Sequence, residues 1–273
     1  MHFQLFKFAH FQIKLIVTLL SDLGTRDASV TVAKAILMNY AATSTIVDIS
    51  HDVAQYDLQQ AAYLLVAAYK HFSPGTVHII PIDVFSGDAP CLLLAKKNDQ
   101  YFIAPDNGLL SLAFGSEIEH NLRCFEFKRP HRFSDWISSA GKVVVSIQEN
   151  RLSAYTTCEV KVAHRQLQPQ VTPLGIDCNI RCIDHYGNVV LDITRQQFGD
   201  HVKGPFKIRI MRMDDVTTIS NNYNEVPMGE PLCRFNDAGY LEIALNHGSA
   251  AAQLGLTSGN ADNIGYQTIR IFF

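Results

Sequence analysis

Three short polar turns in this sequence each follow an apolar run, and each carries an aspartate. Ser21-Asp22-Leu23-Gly24 follows residues 15–20. Ala104-Pro105-Asp106-Asn107-Gly108-Leu109-Leu110 follows Tyr101-Phe102-Ile103, and Asp184-His185-Tyr186-Gly187-Asn188 follows Ile180-Arg181-Cys182-Ile183. Apolar runs of this length read as buried strands. Ligands of open α/β sheets bind outside the carboxyl ends of such strands. Asp22, residues 50–57, residues 83–86 and Asp106 all fall at such ends. A carboxylate accepts two hydrogen bonds, so Asp22 could hold a ribose diol. It could equally cap the helix that follows. Pro105 stops a strand ladder, Asp106-Asn107-Gly108 can supply a positive-φ turn, and Leu109-Leu110 opens a helical pattern.

Several widespread catalytic and cofactor motifs are absent. There is no G-x-G-x-x-G, P-loop, H-E-x-x-H or G-x-S-x-G in the sequence, which removes support for dinucleotide, nucleotide-triphosphate, zinc-protease and serine-hydrolase chemistry. The 11 histidines do not cluster, so His51 and His78 read as ordinary surface or strand residues. The six cysteines contain no C-x2-C pair and suit a reducing cytoplasm. Cys178 and Cys182, four apart on one strand, are expected to share a face as buried thiols. A net charge of −3 gives no general attraction to phosphate backbones, which argues against a nucleic-acid partner. Lys128-Arg129-Pro130-His131-Arg132 reads as a solvated loop. Residues 15–20 are too short to span a membrane, and residues 1–12 read as an extension before the first core strand.

The elements that must position these residues fall into two groups. Apolar strands at 15–20, 45–49, 76–83, 91–96 and 100–103 alternate with helical patterns at 29–40 and 59–71. Near-continuous apolar strands with intervening helices predict an α/β sheet covered on both faces, within an N-terminal domain of residues 1–166. The segment 165–173 is polar, holds two prolines and reads as a linker. Beyond it, short alternating segments at 175–183, 188–193, 206–211, 231–235, 240–245 and 268–273 predict a small all-β, partly closed barrel, domain 174–273. Residues 250–254 supply its helix.

These motifs together resemble the S-adenosylmethionine hydroxide adenosyltransferases and their relatives, the fluorinase and chlorinase enzymes. The resemblance rests on Thr18-Leu19-Leu20-Ser21-Asp22-Leu23-Gly24-Thr25-Arg26-Asp27-Ala28-Ser29-Val30, on Ile46-Val47-Asp48-Ile49-Ser50-His51-Asp52-Val53, and on residues 72–78 and 104–110. It resumes at residues 183–188 and 239–251. It implies a three-layer α/β/α domain followed by a β-barrel. It also implies a homotrimer in which S-adenosylmethionine lies between unlike domains of neighbouring subunits. The implied reaction is displacement at the ribose C5′ carbon by water or hydroxide, giving adenosine and methionine, with no metal and no cofactor beyond the substrate. On the same resemblance Asp22 holds the ribose, Asp27 and Ser29 hold the amino-acid end, and Tyr56 packs beside the reacting centre. Ser86 falls where halide-using members place a hydroxyl. Tyr186 and Tyr223 flank the adenine, and Asn188 reads its edge. Residues around Leu245, Asn246 and His247 complete the slot, and Asp184 receives the ligand ammonium.

The hydroxide-using members carry an Asp-Arg-His set, and here the pattern departs. Its Asp matches Asp83. Its Arg should lie within Asp88-Ala89-Pro90, where there is none. An ungapped match puts Arg132 at the His position, and His131 reaches it with one inserted residue. Asp83 with His131 or Arg132 is the catalytic set this implies. Two other functions fit the same residues: a non-catalytic adenosine or S-adenosylmethionine binder, and a halide-using enzyme.

Overall fold

The computed structural model describes residues 14–86, 92–115, 118, 123–125, 132–157, 168–210, 215–256 and 268–273. The first sheet and its helices comprise β1 (Ile16–Leu20), α1 (Ser29–Tyr40), β2 (Thr45–Ser50), α2 (Leu58–Tyr69), β3 (Val77–Ile79), β4 (Leu92–Lys97), β5 (Gln100–Pro105), α3 (Leu109–Phe114), β6 (Arg123–Phe125), α4 (Phe133–Gln148) and β7 (Thr156–Thr157). Strand order is β2-β1-β3-β5-β4-β6-β7. The first four run parallel, and β4, β6 and β7 add antiparallel neighbours.

Successive residues of a strand point to opposite faces, and each face meets helices. Val17, Leu19, Val77, Ile79 and Ile103 join Ala33 and Leu37 of α1 and Trp136, Ile137, Val143 and Val144 of α4. Leu20, Ile80, Ile82, Phe102 and Ala104 join Leu65 and Tyr69 of α2 and Leu109 and Phe114 of α3. Each fully buried aliphatic or aromatic side chain contributes roughly 1.5–3 kcal/mol. Helix α4 was not among the expected elements, although 136, 137, 140, 143 and 144 form a regular helical stripe.

The order β2-β1-β3 makes the connection direction reverse between β1 and β3. That is where an open sheet leaves a crevice at its carboxyl edge. The segments after β1 and after β3 carry Asp22 and Asp83.

His78 shows how this sheet is tied. It is fully buried in β3, with Nδ1 2.7 Å from Thr18 Oγ1 and Nε2 2.6 Å from Gln100 Oε1. Gln100 Nε2 donates to the Phe72 carbonyl at 2.9 Å, which turns Oε1 towards the ring. Burial pushes the His78 pKa down from 6.5 to about 4, against the opposing hydrogen bond that its Nε2–H donates to Gln100. The unfolded chain therefore binds a proton that the folded chain excludes between pH 6.5 and about 4. Stability is expected to be complete above that window and to fall by roughly 3 kcal/mol on crossing it downwards. Urea denaturation from pH 7.5 to 4 reads this loss, and a His78→Gln variant should lack that part of the slope.

The second sheet comprises β8 (Gln170–Thr172), β9 (Gly175–Ile183), β10 (Val189–Thr194), β11 (Lys207–Ile208), β12 (Pro231–Phe235), β13 (Tyr240–Leu245) and β14 (Thr268–Phe272). Helices α5 (Arg195–His201) and α6 (Ala250–Gln253) accompany it. The order is β11-β14-β9-β10-β13-β12, with β8 also on β9, and every pairing is antiparallel. Residues 170–172, read from sequence as linker, thus belong to this sheet. The sheet curls around Ile176, Cys178, Leu191, Phe198, Ile243 and Ile271. It does not close into a full barrel among the described residues. Only single bridges, Ile208 to Val216 and Ile219 to Cys233, reach across from its two ends. Helix α5 was also unanticipated. Thr194 caps it, and Gln197 closes a reciprocal capping box.

Cys178 and Cys182 do not share a face. Leu191 pairs with Ile180 while Val190 pairs with Cys182, so Arg181 is an extra residue on β9. This bulge flips the alternation. Cys178 faces the half-barrel core, whereas Cys182 packs with Tyr63 of α2. Tyr63 also meets Tyr240 edge-on at 5.6 Å and accepts a hydrogen bond from Asn236 Nδ2 at 3.1 Å. Those contacts seat α2 against the second sheet. Residues 1–12, residues 88–90, residues 128–131 and the linker before residue 168 lie outside the described residues.

Candidate functional site

Asp22 is not a helix cap. Helix α1 begins at Ser29, with Ala28 at the cap position. The Asp22 carboxylate instead reaches across the sheet edge. Its Oδ2 accepts from the backbone N–H of Tyr56 at 3.2 Å and of Asp83 at 3.3 Å. Both donors sit in left-handed backbone, Tyr56 at φ 63° and Asp83 at φ 46°. Such conformations are costly for non-glycine residues and persist where surroundings enforce them. Asn107 supplies part of that enforcement. It is buried after β5, and its Nδ2 donates to the Ile82 carbonyl at 2.8 Å while Oδ1 accepts from Leu109 N–H at 3.2 Å. Gly108, at φ 91°, makes the positive-φ turn expected there. Asp57 caps α2 by accepting from Gln60 N–H at 2.9 Å, and this turn leaves the Tyr56 ring exposed.

Asp22, Tyr56 and Asp83 are therefore brought together from three separate strand ends. Asp27 and Ser29 stand nearby in sequence at the start of α1. The Ser29 backbone N–H donates to Asp27 Oδ1 at 2.8 Å and holds that carboxyl below its usual range. Phe85 and Ser86 continue the turn after Asp83, closed by Ser86 N–H to the Asp83 carbonyl at 3.1 Å.

Behind Asp22 runs a chain that sequence reading missed. Ser21 is fully buried, and its Oγ lies 2.7 Å from His51 Nδ1. His51 Nε2 lies 3.1 Å from Asp48 Oδ1, and Asp48 Oδ2 accepts from Lys34 Nζ at 2.6 Å. Partial burial opposes charge on Asp48, but the bonds from Lys34 and His51 outweigh it and lower its pKa. His51 is thus a buried tie between β2 and the end of β1, not an ordinary surface residue. The pattern Asp48-x-x-His51 after a strand was the available signal.

Arg132 has a different carboxylate as its partner. It precedes α4, its side chain is 79% exposed, and it pairs with Asp135 at 3.5 Å. His131 lies outside the described residues.

A second group forms in the curled sheet. Tyr186, Asn188, Tyr223, Leu245, Asn246, His247 and Gly248 line a cleft of about 610 Å³. All are from the second sheet and its loops, and six of the seven were expected from sequence. Tyr223 Oη donates to buried Glu242 at 2.7 Å and accepts from Arg234 at 3.0 Å. That pair fixes the ring. Asn246 Nδ2 donates to the Val226 carbonyl at 2.7 Å, so its amide braces the loop rather than facing the cleft freely. His247 takes a left-handed conformation at φ 57° in the turn closed by Gly248 N–H to the Leu245 carbonyl. Within one chain this cleft and the Asp22 cluster do not share lining residues. No group of three His, Cys, Asp or Glu suited to a metal ion occurs among the described residues, and no described helix is long and apolar enough to cross a membrane.

Comparison with known proteins gives this arrangement a context. The chain is 28% identical over 260 residues to an (R)-S-adenosyl-L-methionine hydrolase of Thermus thermophilus, covering 89% of this chain and 96% of the relative. It is 36% identical over 286 residues to a fluorinase of an Actinoplanes species, covering 89% and 95%. A crystal structure of an uncharacterized conserved protein from Thermotoga maritima superposes with a TM-score of 0.77 at 25% identity, over 94% of this chain and all of that one. The model of the SAM hydroxide adenosyltransferase N-terminal domain matches residues 17–142, and that of the C-terminal domain matches residues 178–261. With both halves matched in order, this chain belongs to the SAM hydroxide adenosyltransferase family.

Proposed function

We propose that this chain hydrolyses S-adenosylmethionine to adenosine and methionine. The observation that carries the reading is the convergence of Asp22, Tyr56 and Asp83 at the β1/β3 crevice, in a chain of this family. The oxygen of water attacks C5′ opposite the sulfonium. The C5′–S bond breaks, its electron pair stays on sulfur as the neutral thioether of methionine, and the water gives up a proton. A sulfonium leaves readily, so the protein's work is positioning and exclusion of competing water. Oδ2 of Asp22 is held by the two backbone N–H groups, and Oδ1, with two acceptor sites, takes the ribose hydroxyls. Asp83 is the carboxylate that takes the water proton. Asp27 and Ser29 hold the amino-acid end, Ser86 lines the nucleophile side, and the cleft between Tyr186 and Tyr223 takes the adenine.

The two half-sites lie on different sheets. The exposed rings of Tyr56 and Phe85 border one, and those of Tyr186 and Tyr223 border the other. A cyclic homotrimer, with the N-terminal region of one copy facing the cleft of the next, completes three equivalent sites. A domain division after residue 166, with β8 counted in a barrel-like second domain, and a cytoplasmic enzyme without metal belong to the same reading.

The test is to separate the protein by size with light scattering and assay each species for adenosine by chromatography. Adenosine from S-adenosylmethionine in the trimeric fraction, well above the spontaneous rate, is the expected result. Binding without product would favour a non-catalytic binder, the reading that the lack of an Arg at residues 88–90 and the pairing of Arg132 with Asp135 support. A 5′-halo-adenosine formed only with chloride or fluoride would identify a halide enzyme.

A further inference from the structure

Asp184 stands where the resemblance would place an acceptor for the ligand ammonium, yet its carboxylate is already engaged within its own turn. Oδ1 accepts from the backbone N–H of Tyr186 and of Asn188, both at 2.9 Å. Oδ2 accepts from Asn188 Nδ2 at 2.8 Å. An ionised carboxylate has no proton to donate, so it fixes which end of the neighbouring amide faces it. The Asn188 NH2 group points to Asp184, and the amide oxygen is the end left for the cleft that Asn188 lines. Asn188 is only 4% exposed, so its amide is held by this bond.

A base edge that meets this oxygen must bring a donor. A 6-aminopurine has one in its exocyclic amine. A 6-oxopurine places a carbonyl there, and its N1–H lies one atom further round the ring. Two acceptors facing each other in a narrow slot leave both unsatisfied, which is where polar discrimination is strongest.

We propose that Asp184 is a positioning residue for base selectivity. By fixing the Asn188 amide, it admits 6-aminopurine nucleosides and rejects 6-oxopurine ones. The inference rests on the reading that the purine occupies this cleft. It reassigns Asp184 from contact with the ligand to control of the residue beside it.

Calorimetry with adenosine and inosine tests it, on wild type and on Asp184→Asn. Asparagine keeps an oxygen for the two turn N–H groups but puts an NH2 where Oδ2 was. Asn188 must then rotate to offer its oxygen to residue 184 and its NH2 to the cleft. Wild type should prefer adenosine by about 10–100-fold. In Asp184→Asn that ratio should shrink at least about tenfold and move towards inosine, with the melting temperature nearly unchanged. Equal weakening of both nucleosides, with the ratio kept, would mean that Asp184 only braces the turn and would overturn the proposal. If the variant does not fold, wild type still decides. Purine riboside, which lacks the 6-substituent, should bind between the other two, and inosine binding as well as adenosine overturns the idea. If wild type binds none of the three, it is the placement of the purine in this cleft that fails.

Discussion

An Asp22→Ala variant should bind S-adenosylmethionine about 10–150-fold more weakly and lose at least that factor in kcat/KM. Loss of hydrogen bonds to a charged group is worth roughly 1.5–3 kcal/mol, and this carboxylate is the proposed ribose acceptor. The variant also removes the common acceptor of two backbone N–H groups. Tyr56 and Asp83 donate to the same Oδ2, and both hold left-handed conformations. Without it the loops after β2 and β3 lose the tie that holds them at the edge of β1. The reacting centre then loosens as well as the ribose grip. Asp22→Asn retains one acceptor and should fall between the two. Kinetics with calorimetry and a melting curve separate the effects. An affinity within twofold of wild type, accompanied by lower thermal stability, would reduce Asp22 to a loop brace.

The second large effect is expected at Gly187. Its φ of +80° disfavours any side chain, and a Cβ there would lie 2.0 Å from Ser249 Oγ, 2.8 Å from its Cβ and 3.2 Å from its Cα. Ser249 is no spectator. Its Oγ accepts from Ala252 N–H at 3.1 Å and caps α6, while Ala251 N–H donates to the Gly187 carbonyl at 2.9 Å. Gly187→Ala must part the turn from α6 or displace the cap. Left-handed strain costs about 1 kcal/mol, a lost cap about 1 kcal/mol, and the displacement adds to both. A total of roughly 2–4 kcal/mol should lower the melting temperature by several degrees. Tyr186 and Asn188 flank this glycine and line the cleft, so nucleoside binding should vanish at concentrations that saturate wild type. Unchanged melting and binding together would show that the turn tolerates an open geometry.

Much of the scaffold was legible because its signals are local. Helix α1 and strands β9, β12 and β13 fall at the expected residues, since apolar periodicity and turn residues act within a few positions. Helices α4 and α5 went unread, although a stripe at 136–144 and a capping box at 194–197 encode them. The cleft residues were legible only through the likeness of several motifs taken together. Nothing in the spacing of Tyr186, Tyr223 and Leu245 makes them neighbours.

The sequence by itself determined where strands end, which residue types wait at those ends, and that two unlike sheets follow one another. The tertiary structure decided what those residues do. Asp22 could cap a helix or grip a ligand. Only the crevice between β1 and β3 turned it towards Tyr56 and Asp83, because strand order is set by long-range packing and not by neighbours in the chain. Cys182 left the face of Cys178 because one extra residue at Arg181 shifts a two-residue period, which alternation alone does not register. Asp184 turned inward because its own turn brought three donors within reach before any ligand could. Hydrogen-bond partners, unlike apolar faces, are chosen by geometry within a few tenths of an ångström, and that geometry exists only after the chain has folded.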